Sequence, residues 1–223
     1  LGLSQELKEN IEDEKESMNS DTSEDCMDVM DMMKTNLEKI EQHGISTTRT
    51  LKAMEEMLKE RSTKFEPADI ALLCQQCVEK LKNYYADDIS ALGIQVECSV
   101  PAKPVMKNVM AGQIGKTLMS MLSNSVYAIK KKADKGEEYK PVLRVSVTQE
   151  QASGRAFIKI YDNGIGIEQS IIDKIFDPFF TTKPTAEAPG VGLYLSQQIM
   201  HDCGGHITVE SVKDEYTEFV INL

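Results

Sequence analysis

The run Tyr161-Asp162-Asn163-Gly164-Ile165-Gly166-Ile167, then Ile175-Phe176-Asp177-Pro178-Phe179-Phe180-Thr181-Thr182-Lys183, then Gly190-Val191-Gly192-Leu193-Tyr194-Leu195-Ser196, constrains this chain more than any other feature. Two glycine turns flank an aromatic-rich stretch, an Asp starts the first turn, and a helical pattern follows the second. A carboxylate at Asp162, after a strand, can accept a hydrogen bond from an exocyclic amine. Gly164 and Gly166 let the backbone approach a flat ring. Gly190, Val191, Gly192 and Leu193 open a helix, whose exposed N–H groups and dipole favour phosphates. The polar segment 181–189, with Pro184 and Pro189, reads as a loop that closes over a ligand, and Lys183 offers it a positive charge. Each piece alone has a plainer reading, a linking Asp-Asn-Gly turn or a surface Lys. The third glycine of the dinucleotide fingerprint is missing. The order of the pieces points to a nucleotide pocket with a movable flap.

The N-terminal third obeys a different rule. Leu3, Leu7 and Ile11 recur at helical spacing, 19–23 reads as a turn, and Thr22 or Ser23 is placed to cap a second helix. Cys26, Met30, Met33, Leu37, Ile40, Gly44, Thr47, Leu51, Met54 and Leu58 then alternate spacings of four and three, a heptad seam. One hairpin buries such a seam poorly. Two hairpins from two chains make a four-helix bundle, so a homodimer is expected, with Met30, Met33 and Met54 in its core. Gly44 and Thr47 weaken the middle of the seam.

Bulk properties exclude several classes. The net charge is −11, of which residues 1–62 carry −8 (16 acidic, 8 basic). That opposes a nucleic-acid surface, which needs a basic patch. No run approaches the roughly 18 apolar residues of a membrane span, so any membrane attachment is expected through segments outside this chain. The start at Leu1 rather than Met reads as a fragment. Five Cys make no disulfide framework, and Cys74-Gln75-Gln76-Cys77 lacks the second pair of a metal site. Buried apolar thiols and a reducing, cytoplasmic location fit better.

Beyond the connector Arg61–Lys64 the pattern becomes mixed. Helices are expected at 69–86, at 111–132 and from about Gly190 to Cys203. Strands are expected at 94–100, 104–107, 142–148, 156–161, 206–210 and 218–223, with a hairpin through 151–154. Locally paired strands with helices between the pairs predict an α+β fold. A helical hairpin over 1–62 precedes a two-layer α/β sandwich over 66–223. Asn124 falls on the 111–132 helix, where an amide oxygen is a neutral hard ligand suited to Mg²⁺ that also holds phosphate.

Together these residues resemble the ATP-binding domain of sensor histidine kinases, in the superfamily that includes Hsp90, MutL and type II topoisomerases. Residues 119–128 resemble its Asn-containing helix, 162–167 its adenine-binding turn, 175–183 its Phe-rich box and 190–196 its second glycine box. Gly204-Gly205-His206-Ile207 and 217–223 resemble its closing strands. The resemblance implies ATP and Mg²⁺ as ligands. Asp162 would take the adenine amine with Thr217 nearby, Asn124 the metal, and Gly190 and Gly192 the phosphates. Tyr127, Gly164, Gly166, Ile167, Lys183, Val191 and Leu193 would complete the cofactor site. The hairpin resembles the family's dimerisation and phosphotransfer region, which implies a response-regulator receiver domain as partner. None of the three His fits the family's acceptor position. His43 precedes Gly44 on the second helix, so the acceptor is expected upstream of Leu1 and no catalytic nucleophile is expected in this chain.

Three positions depart from the pattern. Ser120 stands where the kinases usually have Asn and the related ATPases Glu, which disfavours a vigorous hydrolase. Ala188-Pro189 replaces a usual Gly-Thr, and Tyr127 a common Lys. The alternatives are a non-catalytic nucleotide-sensing dimerisation module, an ATPase of the Hsp90 or MutL type, and a Ser/Thr kinase like the mitochondrial dehydrogenase kinases.

Overall fold

The structure, a computed structural model, describes Leu7, Ile11 and residues 24–58, 64–136, 139–183 and 188–223. The turn at 19–23, the capping by Thr22 or Ser23, and most of the first expected helix lie outside the described residues. The chain divides into two units, 1–59 with 181–189 and 60–180 with 190–223.

In the first unit the heptad run forms one unbroken helix, α1 (Glu24–Leu58), which continues through Gly44. Around that glycine, Thr47, Thr48 and Thr50 hydroxyls donate to the carbonyls of His43, Gly44 and Ser46 four residues back. This back-bonding satisfies the hydroxyls and tends to bend a helix. Within the isolated chain the seam is open: Ile40 is 63% exposed, and Met33, Leu51 and Met54 are also exposed. The expected core positions of Met33 and Met54 are thus surface in the monomer.

The second unit is built on a five-stranded sheet. Its elements in chain order are β1 (Glu66–Asp69), α2 (Ile70–Tyr84), α3 (Ala86–Leu92), β2 (Gln95–Ser99), β3 (Met106–Val109), α4 (Ala111–Ala133), β4 (Val142–Gln149), β5 (Ala156–Asp162), a 3₁₀ helix (Gln169–Lys174), α5 (Gly192–Asp202), β6 (His206–Val212) and β7 (Tyr216–Asn222). The sheet order is β2-β4-β5-β7-β6, with β2 parallel to β4 and every other pair antiparallel. β1 and β3 form a separate antiparallel pair. The expected α+β sandwich is observed.

Sequence and structure differ at 69–86. The expected single helix stops at Tyr84 and is preceded by β1, with Asp69 making that boundary. Its carboxylate accepts from the Ala71 amide at 3.0 Å as an N-cap and from the Val105 amide at 3.0 Å, which fixes the strand-to-helix corner. A second short helix, α3, ends at Gly93 in the left-handed conformation, φ 63°.

Helices α2, α4 and α5 pack on one face of the sheet. Ile70, Cys74, Cys77, Val78 and Leu81 of α2, and Ile114, Leu118, Met121, Leu122, Val126 and Ile129 of α4, supply the helical side of the core. Each fully buried Leu or Ile is worth roughly 1.5–3 kcal/mol. Cys74 and Cys77 are buried and free, and burial pushes both thiols up. Among the described residues no His/Cys/Asp/Glu group could hold a metal ion.

Candidate nucleotide-binding site

The inner face of the sheet is apolar until its last row. Strand register aligns Val147, Ile158, Ile221 and Ile207 in one row and Val145, Ile160, Phe219 and Val209 in the next. The following row is Leu143, Asp162, Thr217 and Ser211. Three polar side chains, each at most 3% exposed, therefore close an otherwise apolar face where the first glycine turn begins. Buried polar groups must be hydrogen-bonded or they cost stability. The Thr217 and Ser211 hydroxyls lie 3.0 Å apart, Ser211 Oγ donates to the Tyr216 carbonyl at 2.6 Å, and the Ile167 amide donates to Ser211 Oγ at 2.8 Å.

Asp162 is served less well. Its Oδ1 accepts from the Gly164 amide at 3.0 Å. Burial pushes the carboxyl up to about 7, against a downward pull from the Ser125 hydroxyl, the Gly164 amide and Lys132. Ser125 Oγ nonetheless has no hydrogen-bond partner, so it faces the carboxylate without a full bond. A carboxylate with so little protein to satisfy it can accept from a ligand donor.

The glycines of the first turn are needed for packing. A Cβ on Gly164 would stand 2.5 Å from the Ala128 backbone carbon, and one on Gly166, at φ 61°, 2.1 Å from the Val212 carbonyl oxygen. The turn is clamped between α4 and the end of β6. The Ile165 amide bonds the Ala128 carbonyl at 3.1 Å, and the Asp214 amide bonds the Ile165 carbonyl at 2.7 Å. Asn163 closes the turn's outer side, accepting from the Val142 amide and donating to the Lys140 carbonyl, both at 2.8 Å.

The second glycine turn meets the same helix. Gly190, at φ 72°, has its side-chain space filled by the Phe179 and Phe180 backbone, which ties the Phe-rich box to the turn. A Cβ on Gly192 would stand 2.7 Å from Ser120 Oγ. Helix α5 begins there with Val191 as N-cap and no side-chain cap, so its first amides are open to an anion. Ser120, Asn124 and Ala128 lie one turn apart on a single stripe of α4. Ser120 abuts the second glycine turn and Ala128 the first, so half-buried Asn124 sits between the two. Tyr127 is on the next strip, with the Lys131 ammonium 5.6 Å from its ring centroid.

Asn124, Asp162, Gly164, Gly166, Ile167, Gly190, Val191, Gly192, Leu193 and Thr217 all belong to this unit. Lys183 belongs to the other. Its amide donates to Thr181 Oγ1 at 3.1 Å, and Pro184–Glu187 of the expected flap lie outside the described residues. Sequence reasoning missed Ser211 and Lys132. Ser211 had a signal: the alternation Ile207, Val209, Ser211 mirrors Ile221, Phe219, Thr217 across a short turn. Lys132 had none.

Residues 113–223 match the family described as "Histidine kinase-, DNA gyrase B-, and HSP90-like ATPase". The chain is similar to the two-component sensor PprA of Pseudomonas aeruginosa, 30% identical over 132 residues, which covers 58% of this chain and 14% of that protein. It is also similar to the signal transduction histidine-protein kinase AtoS of Escherichia coli, 40% identical over 106 residues, covering 48% and 16%. The chain thus spans less than a fifth of the length of these two relatives. Among solved structures the backbone resembles the mycobacterial sensor histidine kinase MprB, with TM-score 0.57 and 21% identity over 71% of this chain and 96% of that one. It also resembles full-length ShkA in complex with AMPPNP, with TM-score 0.61 and 18% identity over 99% of this chain and 44% of that one. At those identities the likeness is one of fold. Residues 113–223 thus belong to the histidine kinase-, DNA gyrase B- and HSP90-like ATPase family.

Proposed function

We propose that this chain is the cytoplasmic core of a two-component protein-histidine kinase, which takes the γ-phosphoryl of ATP to a His and then to a response-regulator Asp. The observation that carries this reading is the stripe Ser120, Asn124 and Ala128, which gathers an amine-accepting carboxylate, a neutral amide and an uncapped helix N-terminus beside one helix. Asp162, with Thr217 in register, would take the adenine amine. Tyr127, Gly164, Gly166 and Ile167 would border the base. The amides of Gly190, Val191, Gly192 and Leu193 would hold phosphate oxygens.

The donor chemistry at Asn124 fits Mg²⁺, a hard ion that takes one or two protein oxygens and keeps its phosphate and water ligands. Bound there, the metal supplies charge neutralisation on the phosphates. The protein's own part is positioning, with no side chain required as a covalent nucleophile. Ser120 offers no carboxylate to activate water, which favours transfer over hydrolysis. His43 lies before Gly44 in α1, away from the acceptor position that the resemblance implies, and His201 and His206 end α5 and begin β6 within the catalytic unit, so the proposed acceptor is a His outside residues 1–223. The exposed seam of α1 supports pairing with a second copy of the chain.

The test is calorimetric titration with ATP, with and without Mg²⁺, on the wild type and Asn124→Ala, followed by incubation of the full-length protein with labelled ATP. Metal-dependent affinity lost in the variant, and an acid-labile, alkali-stable phosphoprotein, are expected. Affinity in Asn124→Ala that still depends on Mg²⁺ places the metal elsewhere. Tight binding with no phosphoprotein favours the nucleotide-sensing module, a reading to which Ser120 lends weight.

A further inference from the structure

We infer that Lys132, in the last turn of α4, is a positioning residue for the nucleotide site: it locks the Asp162 turn to the β6–β7 turn and does so as a cation beside the Asp162 carboxylate. The inference rests on Asp162 being the base-recognising group proposed above. Lys132 Nζ donates to the Asn163 carbonyl at 2.9 Å and to the Glu215 carbonyl at 3.4 Å. Asn163 directly follows Asp162, and Glu215 lies in the turn whose Asp214 amide holds Ile165. One ammonium therefore bridges the two loops that frame the carboxylate. The neighbouring Lys135 forms an ion pair with Asp214, a second tie between the same helix end and the same turn.

The stem of Lys132 is held in turn. Its ammonium lies 4.9 Å from the centroid of the Tyr139 ring, and the Tyr139 hydroxyl donates to the Ile129 carbonyl at 2.8 Å, on the same helix. A cation also suits this end of α4, where free carbonyls make the helix dipole negative.

The groups that face Asp162 are few. Lys132 comes from α4 and Tyr139 from the connection to β4, and the Ser125 hydroxyl and Gly164 amide complete the set. Burial opposes ionisation of the carboxyl, and among the described residues Lys132 is the one cation that opposes burial. A hydrogen bond from an amine is stronger to the ionised acid than to the neutral one. Lys132 thus acts on nucleotide affinity twice, through the geometry of the turn and through the fraction of Asp162 that is charged at neutral pH.

The experiment is calorimetric titration of the chain with Mg-ADP between pH 5.5 and 8.5, for the wild type, Lys132→Arg, Lys132→Met and Lys132→Gln. The Asp162→Asn profile supplies the contribution of the nucleotide's own phosphates. Wild-type affinity should rise with pH through neutrality. Lys132→Met should weaken binding several-fold at pH 7 and move the midpoint up by about one pH unit, the low end for loss of one nearby charge. Lys132→Gln, which keeps a donor but no charge, should shift the midpoint with a smaller loss at pH 8.5, and Lys132→Arg should restore the wild-type midpoint. Uniform weakening with no change of midpoint, or an Arg variant as impaired as Met, overturns the inference. Should Lys132→Met fail to fold, the Gln and Arg pair decides alone. A wild type that does not bind Mg-ADP sinks the nucleotide reading rather than the role of Lys132.

Discussion

Replacing Asp162 by Asn should make the unliganded protein more stable at neutral and alkaline pH while it weakens, without abolishing, nucleotide binding. The carboxyl is 2% exposed and its pKa is raised from 3.8 to about 7, first by burial. Below pH 3.8 the acid is neutral in both folded and unfolded chains. Between there and about 7 the folded chain holds a proton that the unfolded chain has lost, so stability falls as pH rises. Above about 7 both states are ionised and the curve flattens. The full span is about three pH units, which at ~1.36 kcal/mol per unit comes to about 4 kcal/mol, an upper bound because the site relaxes around the charge. Asn keeps an oxygen for the Gly164 amide and carries no charge. The difference in unfolding free energy between variant and wild type should therefore grow by about 2–3 kcal/mol from pH 5 to pH 8 in favour of the variant. The exposed pairs Glu168–Lys213 and Asp214–Lys135 cancel in that difference. The chain has no Trp, so urea unfolding is followed by circular dichroism, without nucleotide or Mg²⁺. A difference flat with pH refutes the reasoning, because it would mean that the carboxylate pays no burial penalty.

Gly166→Ala puts a Cβ 2.1 Å from the Val212 carbonyl oxygen at φ 61°, so overpacking and left-handed strain together should cost about 2–4 kcal/mol in chemical denaturation. A loss under ~0.5 kcal/mol, the usual size of an inert surface change, would show that the turn is not clamped. The proposed dimer should appear in analytical ultracentrifugation, and Ile40→Glu, at a 63%-exposed seam position of α1, should turn it into monomer without lowering ADP affinity. An unchanged dimer would remove α1 as the interface.

Much of the sheet unit is legible because its strands alternate strictly and its turns carry glycine. The hairpin through 151–154 and helix α4 stand close to where periodicity puts them. The strand-to-helix corner at Asp69 is invisible to periodicity, since it is set by Asp69 reaching the Val105 amide 36 residues away. The glycines are legible as a turn, but their packing role is not. Sequence shows that a Cβ is absent, and only packing shows that Ala128 and Val212 occupy its place. Lys132 escaped notice because its partners are carbonyls of distant turns, which leave no mark on the choice of residue there.

Helix α4 works as a ruler. Ser120 and Ala128 are eight residues apart, so the two glycine turns that rest on them are held ~12 Å apart along the axis, at 1.5 Å per residue. That length is set by the backbone rather than by any side chain, so point substitutions along α4 can retune its grip but not its span. Inserting one residue between Ser120 and Ala128 would lengthen the ruler only slightly, yet would turn one end by ~100° relative to the other. Insertions in this stretch should be rejected where substitutions are tolerated, since they move one end of the ligand's berth round the helix while leaving the other in place.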